Sequence, residues 1–381
     1  MVVHLHVGQA GNEVGAAFWR LAQAEEATHA HLYDRKRCAR AVHLDTEPKV
    51  VENLARHLGK DTIHPGCAIV DQSGRANNWA CGFNGEACSS TSTRAVDSVA
   101  EAALEALRLQ WERSDWCAGC VMSHALGGGT GSGLGSKMVQ ELRDAYPRHY
   151  LTTVSIAPFG AGELPLAAYN SMLALAHLHE HADAVILYDN ATLLREVSAA
   201  SSATVAAGAG APARAALRSG APRLCMSTLD RYVGRALAGL AFPTDGPGGI
   251  RPFDPADLVS SVCPMPSLKM LQLATTLGPG GLAAEPAKSA KTSGPAPLGG
   301  GRRLGWGVLL DELVERIPRY DMHNGGVTTL CARITARGIA SEPPDARVQS
   351  RLQQQLGPSP VTARALEWRL SESVATALPA V

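Results

Sequence analysis

The sequence predicts an α/β fold, a parallel sheet with helices on both faces, and two patterns carry that prediction. Six short apolar runs punctuate the first 195 residues, and stretches with helical periodicity fall between them. Strands that alternate with helices assemble as parallel sheets buried on both sides. The chain has 381 residues, 45% apolar and 18% charged, which suffices for one large domain or two ordinary ones.

The runs are VVHLHV (2–7), ARAVHLD (39–45), CAIVD (67–71), CAGCVMSHAL (117–126), LTTVSIAP (151–158) and ADAVILYDN (182–190). After the first, Val14, Ala17, Phe18, Leu21 and Ala22 recur at the i, i+3, i+4, i+7, i+8 spacing of one buried helix face. Val96, Val99, Ala100, Ala103, Leu104, Leu107 and Trp111 repeat the pattern ahead of the fourth run. His4 and His6 share one face of the first strand and are expected to hydrogen-bond locally. Two stretches rich in small residues, 198–222 and 277–303, read as low-complexity insertions. They hold too few large apolar side chains to offset ordering entropy, so both are expected to be flexible surface loops.

Charge and cysteine usage exclude several classes. The 35 basic and 35 acidic side chains cancel, whereas a general nucleic-acid binder needs a clustered excess of Lys and Arg. No run approaches the roughly 20 apolar residues of a membrane-spanning helix, and MVVHLHVGQAGNE lacks the layout of a signal peptide. A cytosolic protein with neither nucleic acid nor membrane as partner is expected. Nine cysteines, an odd number thinly spread, read as reduced thiols. The Cys117–Cys120 pair has no second CxxC at zinc spacing and reads as strand packing. His177 and His181 have the i, i+4 spacing of a metal pair but no third ligand, so a solvated helix face is expected.

Ligands of such sheets sit at the carboxyl ends of the strands. There the sequence places Gly127-Gly128-Gly129-Thr130-Gly131-Ser132-Gly133, after a strand and before the helical stretch LGSKMVQELRDAY. Five glycines in seven residues would weaken a helix or strand, but they admit close backbone approach to a ligand. A following helix start adds free N–H groups and partial positive charge, which makes an anion site with phosphate as its natural occupant. The loop fits neither G-x-x-x-x-G-K-[ST] nor G-x-G-x-x-G. Gly8-Gln9-Ala10-Gly11-Asn12, Asp45-Thr46-Glu47-Pro48 and the 73–79 segment end the first three strands with further polar groups. Two carboxylates at i and i+2 beside a phosphate suit Mg²⁺.

These residues bring in a resemblance. GQAGNEVG (8–15), DTEPKVV (45–51), ANNWACG (76–82), LGGGTGSGLGS (126–136) and AYNSMLALAHL (168–178) resemble the tubulin family in order and spacing over residues 1–195, and more loosely to about 340. ARAVHLDTEPKVV, PFGAGELPLAAYN and DLVSSVCPMPSLKML are most similar to the delta subfamily, with zeta or another minor tubulin as nearest competitor. The resemblance implies a tubulin-type GTP-binding domain over 1–197, an insertion at 198–222 and a central helix at 223–243. A smaller α+β intermediate domain would follow at 244–340 with a flexible insertion at 277–303, then a divergent tail at 341–381 without the family's C-terminal helices. It further implies GTP/GDP and Mg²⁺ as cofactors and head-to-tail assembly with other tubulins. The setting it implies is the cytoskeleton, among centriole or basal-body components and ciliary triplets.

Carried over by position, Gln9 and Ala10 would lie by the nucleotide, while Asp45 and Glu47 would face the magnesium-bound phosphates. Gly74, Ala76 and Asn77 would contact phosphate, and Gly127, Gly128, Gly129, Thr130 and Gly131 would form the main cradle. Glu163 falls in the ribose loop. The family reads guanine with asparagines and an aromatic ring, and the matching positions here are Ala200, Asp230 and Met226: Asp230 can accept hydrogen bonds from guanine N1–H and N2–H₂, while stacking and one amide contact are lost. The chain departs from the family at Ala10 (commonly cysteine), Ala125 (commonly a hydroxyl) and Ala167 (often a ribose-binding glutamate). Ser260 stands where the resemblance expects the glutamate that acts on the next subunit's nucleotide, so hydrolysis is expected to be weak or partner-dependent. The alternative reading is a divergent or truncated tubulin-like protein that binds nucleotide weakly and does not polymerise. A metabolic enzyme is disfavoured, because no nucleophile and base pair sits at a strand end.

Overall fold

A computed structural model describes residues 1–24, 30–72, 74–85, 96–114, 116–160, 165–207, 225–246, 249–275, 313, 331–337 and 366–371. Its strands are β1 (Val2–Val7), β2 (Ala41–Asp45), β3 (Ala68–Val70), β4 (Gly119–Ala125), β5 (Tyr150–Ala157) and β6 (Ala184–Asp189), followed by β7 (Thr244–Gly246), β8 (Gly249–Arg251), β9 (Met270–Leu271), β10 (Ala332–Arg337) and β11 (Leu366–Ser371). Seven of them form one sheet ordered β3-β2-β1-β4-β5-β6-β9, with every pair parallel. The expected parallel α/β sheet is therefore present. Each of the six apolar runs contributes one of its strands.

Helices α1 (Gly8–Ala24), α2 (Pro48–Leu58), α3 (Trp79–Asn84), α4 (Val96–Glu112), α5 (Gly135–Ala145) and α6 (Ala167–His181) lie between the strands. Alternation along β1 sends successive side chains to opposite faces of the sheet. Val3, Leu5 and Val7 join one core with Val99, Ala103 and Leu107 of α4, Met138 and Leu142 of α5, and Ala174 and Leu178 of α6. His4 and His6 point the other way, onto α1. The His4 ring lies 4.7 Å from Phe18, and His6 Nε2 accepts from the indole N–H of Trp19 at 3.1 Å. The amphipathic face expected for α1 is buried at all five positions, Val14, Ala17, Phe18, Leu21 and Ala22.

The chain divides into two compact units, Met1–Leu193 with Pro252–Leu273, and Leu194–Arg251 with Ala274–Val381. The first contains the sheet together with α9 (Pro255–Val262). The second contains α8 (Met226–Ala241), the antiparallel pair β7–β8 and the parallel pair β10–β11. Within it the Tyr232 hydroxyl donates to Glu196 at 2.6 Å. Among the described residues, no helix is long and apolar enough to cross a membrane.

Three sequence expectations need correction. Helix α7 (Asn190–Ala207) runs ten residues into the first supposed loop, 198–222. Half of residues 198–207 are Ala, the best helix former, and the first Gly comes only at 208. Residues 208–222 and 277–303 lie outside the described residues. The glycine heptad is only partly a loop: Thr130–Leu134 winds as a wide π turn that flows directly into α5. Close packing offsets the conformational cost of its glycines. A Cβ on Gly131 would stand 2.6 Å from the Ala125 carbonyl oxygen, and one on Gly133 would collide with the Trp79 carbonyl. The His177 face of α6 is not simply solvated, because the half-buried His177 packs 4.8 Å from the Phe83 ring and 5.2 Å from Trp79. His181 stacks on it at 5.9 Å. The described cysteines are all free thiols, as expected, and Cys120 is fully buried in β4.

Candidate functional site

In this strand order the sequence of strands reverses between β1 and β4, the place where an open parallel sheet leaves a crevice at its carboxyl ends. Both strands deliver their glycines there. Gly8, at φ +73°, turns β1 straight into α1, and a Cβ on it would lie 3.2 Å from the Gly131 backbone nitrogen. The left-handed backbone and the close approach both favour glycine. Gln9 is exposed and Ala10 half-buried in the first turn of α1, next to that contact.

Behind the glycine turn lies a fully buried polar layer. His124 contacts the Gly131 carbonyl through Nδ1 and the Ser155 hydroxyl through Nε2, each at 2.8 Å. Burial lowers its pKa to about 4, so the ring is neutral. A carbonyl can only accept, so Nδ1 carries the proton and Nε2 accepts from Ser155. Ser132 donates to the Gly128 carbonyl and Ser136 to the Ser132 carbonyl at 2.7 Å. These contacts fix where the carbonyls of the turn point.

The 74–79 loop closes one side. Gly74, Ala76 and Asn77 are exposed, and Ala76 (φ 47°) and Asn77 (φ 51°) are consecutive left-handed residues without being glycine. A buried ion pair, Arg75 to Asp71 at 2.9 Å, anchors the loop from beneath. The Asn77 side chain reaches toward Gly128, whose Cβ would meet only Asn77 Oδ1, at 3.9 Å. Gly129 differs: its Cβ would stand 2.5 Å from the Arg75 carbonyl oxygen. Of the two, Gly128 faces open space and Gly129 is wedged against the neighbouring loop.

The 45–47 segment closes the other side. Asp45 is 2% exposed, and its Oδ1 accepts the backbone N–H of Thr46 at 2.7 Å and of Glu47 at 3.2 Å. Its Oδ2 is buried with no hydrogen-bond partner. Burial pushes the carboxyl up to about 6, against the pull of those two N–H groups. Thr46 and Thr130 share a hydrogen bond at 2.7 Å, tying this segment to the glycine turn. Glu47 is exposed just before α2. A buried carboxylate oxygen without a hydrogen-bond partner suits a hard cation such as Mg²⁺. Among the described residues no group of three or more His, Cys, Asp or Glu could hold a metal, so such an ion would complete its shell with ligand oxygens and water.

The turn of Gly127, Gly128, Gly129, Thr130 and Gly131 thus meets Gly8, Arg75 and Asn77 and bonds to Thr46 through Thr130, with Asp45 and Ala76 next to those contacts in sequence, whereas Gln9, Ala10, Glu47 and Gly74 lie on the same segments at exposed or half-buried positions. Glu163 lies outside the described residues. Asp230 and Met226 occupy the first turns of α8, in the second compact unit. Sequence reasoning passed over His124, Thr46 and Asn170. Asn170 left a signal, being the polar member of the buried α6 face Ala167, Asn170, Ala174 and Leu178.

A family model described as "Tubulin/FtsZ family, GTPase domain" matches residues 1–198. The chain is similar to the tubulin beta-1 chain of Geotrichum candidum, 33% identical over 213 residues, covering 50% of this chain and 46% of that protein. It is similar also to the tubulin epsilon chains of Mus musculus, 33% over 225 residues, and of Homo sapiens, 34% over 226, each covering 51% of this chain and 45% of the relative. The chain spans about half the length of the curated relatives it matches.

Proposed function

The chain belongs to the Tubulin/FtsZ family, with a GTPase domain over residues 1–198, and from that premise we propose that it binds GTP and GDP and works as a structural tubulin, assembling head to tail with other tubulins. The observation that supports this most is the convergence of three segments on one crevice: the glycine turn, the 74–79 loop and the 45–47 carboxylates. Backbone N–H groups at the start of a helix favour a phosphate there. Asp45 would hold Mg²⁺ through Oδ2, with Glu47 at the rim; the ion supplies charge neutralisation for the phosphates. Asp230 of α8 is proposed to read guanine. The domain limits expected from sequence, with a central helix at 223–243 and an intermediate domain at 244–340, are part of the same reading.

The proposal extends to a delta-like subtype in the cytoplasm, at the centriole or basal body of cilia, supported by the ARAVHLDTEPKVV and DLVSSVCPMPSLKML segments. Hydrolysis is proposed to be weak or partner-dependent. Ser260 sits in α9 with its hydroxyl given to the Asp257 carbonyl at 3.0 Å, and a serine does not orient water as an ionised carboxylate does. Ala10 and Ala167 favour the second reading, a divergent protein that binds nucleotide weakly and does not polymerise. Sedimentation of the purified chain, alone and mixed with tubulin heterodimers, with GTP or GDP, separates the two. GTP-dependent pelleting is expected. A chain that binds GTP yet stays in the supernatant under every condition refutes the assembly half.

A further inference from the structure

The face of α6 turned to the core is Ala167, Asn170, Ala174 and Leu178, three small or apolar residues and one amide. A buried amide is costly unless its hydrogen bonds are made. Asn170, 2% exposed, makes three. Its Nδ2 donates to the Asn77 carbonyl at 2.7 Å and to the Gly127 carbonyl at 2.8 Å, and its Oδ1 accepts the Trp79 backbone N–H at 2.8 Å. Both carbonyls need a donor and the N–H needs an acceptor, so the orientation of the amide is fixed.

The three partners belong to two different loops. Asn77 is the second left-handed residue of the 74–79 loop and Trp79 is its last residue, while Gly127 begins the glycine turn. Consecutive non-glycine residues at φ 47° and 51° are strained, and such strain persists only where the surroundings over-determine it. On one side the buried Arg75–Asp71 pair and the Asn78 N–H bond to the Arg75 carbonyl at 2.9 Å hold the backbone. On the other side the hold comes from Asn170. We infer that Asn170 is a positioning residue: one amide fastens the 74–79 loop to the glycine turn and sets the two halves of the phosphate cradle at binding distance. The inference rests on the nucleotide-binding reading and adds to it a residue that itself touches no ligand.

The substitution Asn170→Asp tests this. The carboxylate is isosteric and still accepts from Trp79, but it faces two carbonyl oxygens where two N–H groups stood. The loops are pushed apart. The probes are GTP carrying a fluorescent ribose label, for the cradle, and guanosine, which carries no phosphate, followed by ligand-observed NMR. Asn170→Ser, which keeps one donor, serves if the aspartate variant does not fold. The expected result is a loss of GTP affinity of tenfold or more with the guanosine signal unchanged. Wild-type GTP affinity in either folded variant overturns the clamp, as does equal loss of GTP and guanosine, which would make Asn170 a support of the fold alone. If the wild-type protein binds no GTP, the nucleotide-binding reading itself falls and takes this inference with it.

Discussion

Gly128 and Gly129 are neighbours, yet a methyl group added to each is predicted to do different damage. At Gly129 the new Cβ would stand 2.5 Å from the Arg75 carbonyl oxygen, 2.8 Å from Arg75 Cβ and 2.9 Å from the Asn78 nitrogen. Ordinary contacts lie at about 3.5 Å or more, so backbone of the 74–79 loop must retreat by roughly 1 Å. Overpacking of that kind costs about 1–3 kcal/mol, and at ~2–4 °C per kcal/mol Gly129→Ala should melt roughly 2–12 °C below wild type without ligand. At Gly128 the methyl group meets only Asn77 Oδ1, at 3.9 Å. The fold should tolerate it within about 0.5 kcal/mol, but the methyl group enters the space assigned to phosphate. Gly128→Ala should therefore keep its melting temperature and lose tenfold or more in GTP affinity. Thermal scans with and without GTP read both effects. If Gly128→Ala melts as low as Gly129→Ala, or keeps full GTP affinity, the cradle is not where the packing places it.

The other predictions concern charge. Burial lowers the pKa of His4 and His43 from 6.5 to about 3, and that of His6 well below 6.5. The unfolded chain takes up these protons first, so the stability they contribute is full above 6.5 and is lost as pH falls toward 3, at about 1.4 kcal/mol per histidine by pH 5.5. Asp45 acts in the opposite sense: its folded pKa is raised from 3.8 to about 6, so its charged form weakens the fold above 6, and that penalty is relieved on acidification. Because these three histidines, joined by the buried His124 with its pKa lowered to about 4, outweigh one carboxyl, urea unfolding should show a net loss of several kcal/mol between pH 8 and pH 5.5; a flat profile would contradict their burial. Asp45→Asn should remove the Mg²⁺ dependence of GTP binding while raising stability without ligand at pH 7.5, measured by Mg²⁺ titration and thermal scans. An unchanged Mg²⁺ response would remove Asp45 from the metal site. Ser260→Glu should raise GTP turnover in assembled material, read by phosphate release, if the side chain at that position acts on a neighbour's nucleotide.

Much of the sheet was legible because strands buried on both faces are apolar at most positions, as the valines and leucine of VVHLHV and the AVILY core of ADAVILYDN are. The glycine turn was legible because little except close backbone approach requires Gly at five of seven positions. What escaped was tertiary. Gly8-Gln9-Ala10-Gly11 looks like loop punctuation, yet α1 begins at Gly8, because Gly11 packs against the Ser123 carbonyl of β4 and needs to be bare there. Residues 198–207 lack large apolar side chains, but alanine propensity is enough to continue α7. The separate roles of Gly128 and Gly129 were hidden in the same way: in sequence the five glycines read alike, whereas the structure turns Gly129 toward Arg75 and leaves Gly128 open. Asn170 and His124 sit in stretches whose neighbours carry the recognisable motif, and their partners lie 43 to 93 and 7 to 31 residues away along the chain. No local pattern encodes such pairings.

The central claim is that the crevice between β1 and β4 takes a guanine nucleotide by its phosphates. Equilibrium binding of labelled GTP and labelled ATP to the purified protein in Mg²⁺ tests it most directly, with Gly128→Ala as the site control. The account predicts GTP affinity in the micromolar range or tighter, much weaker ATP, and loss of GTP in the variant. No detectable GTP binding by the wild-type protein, or binding that Gly128→Ala leaves intact, would contradict it.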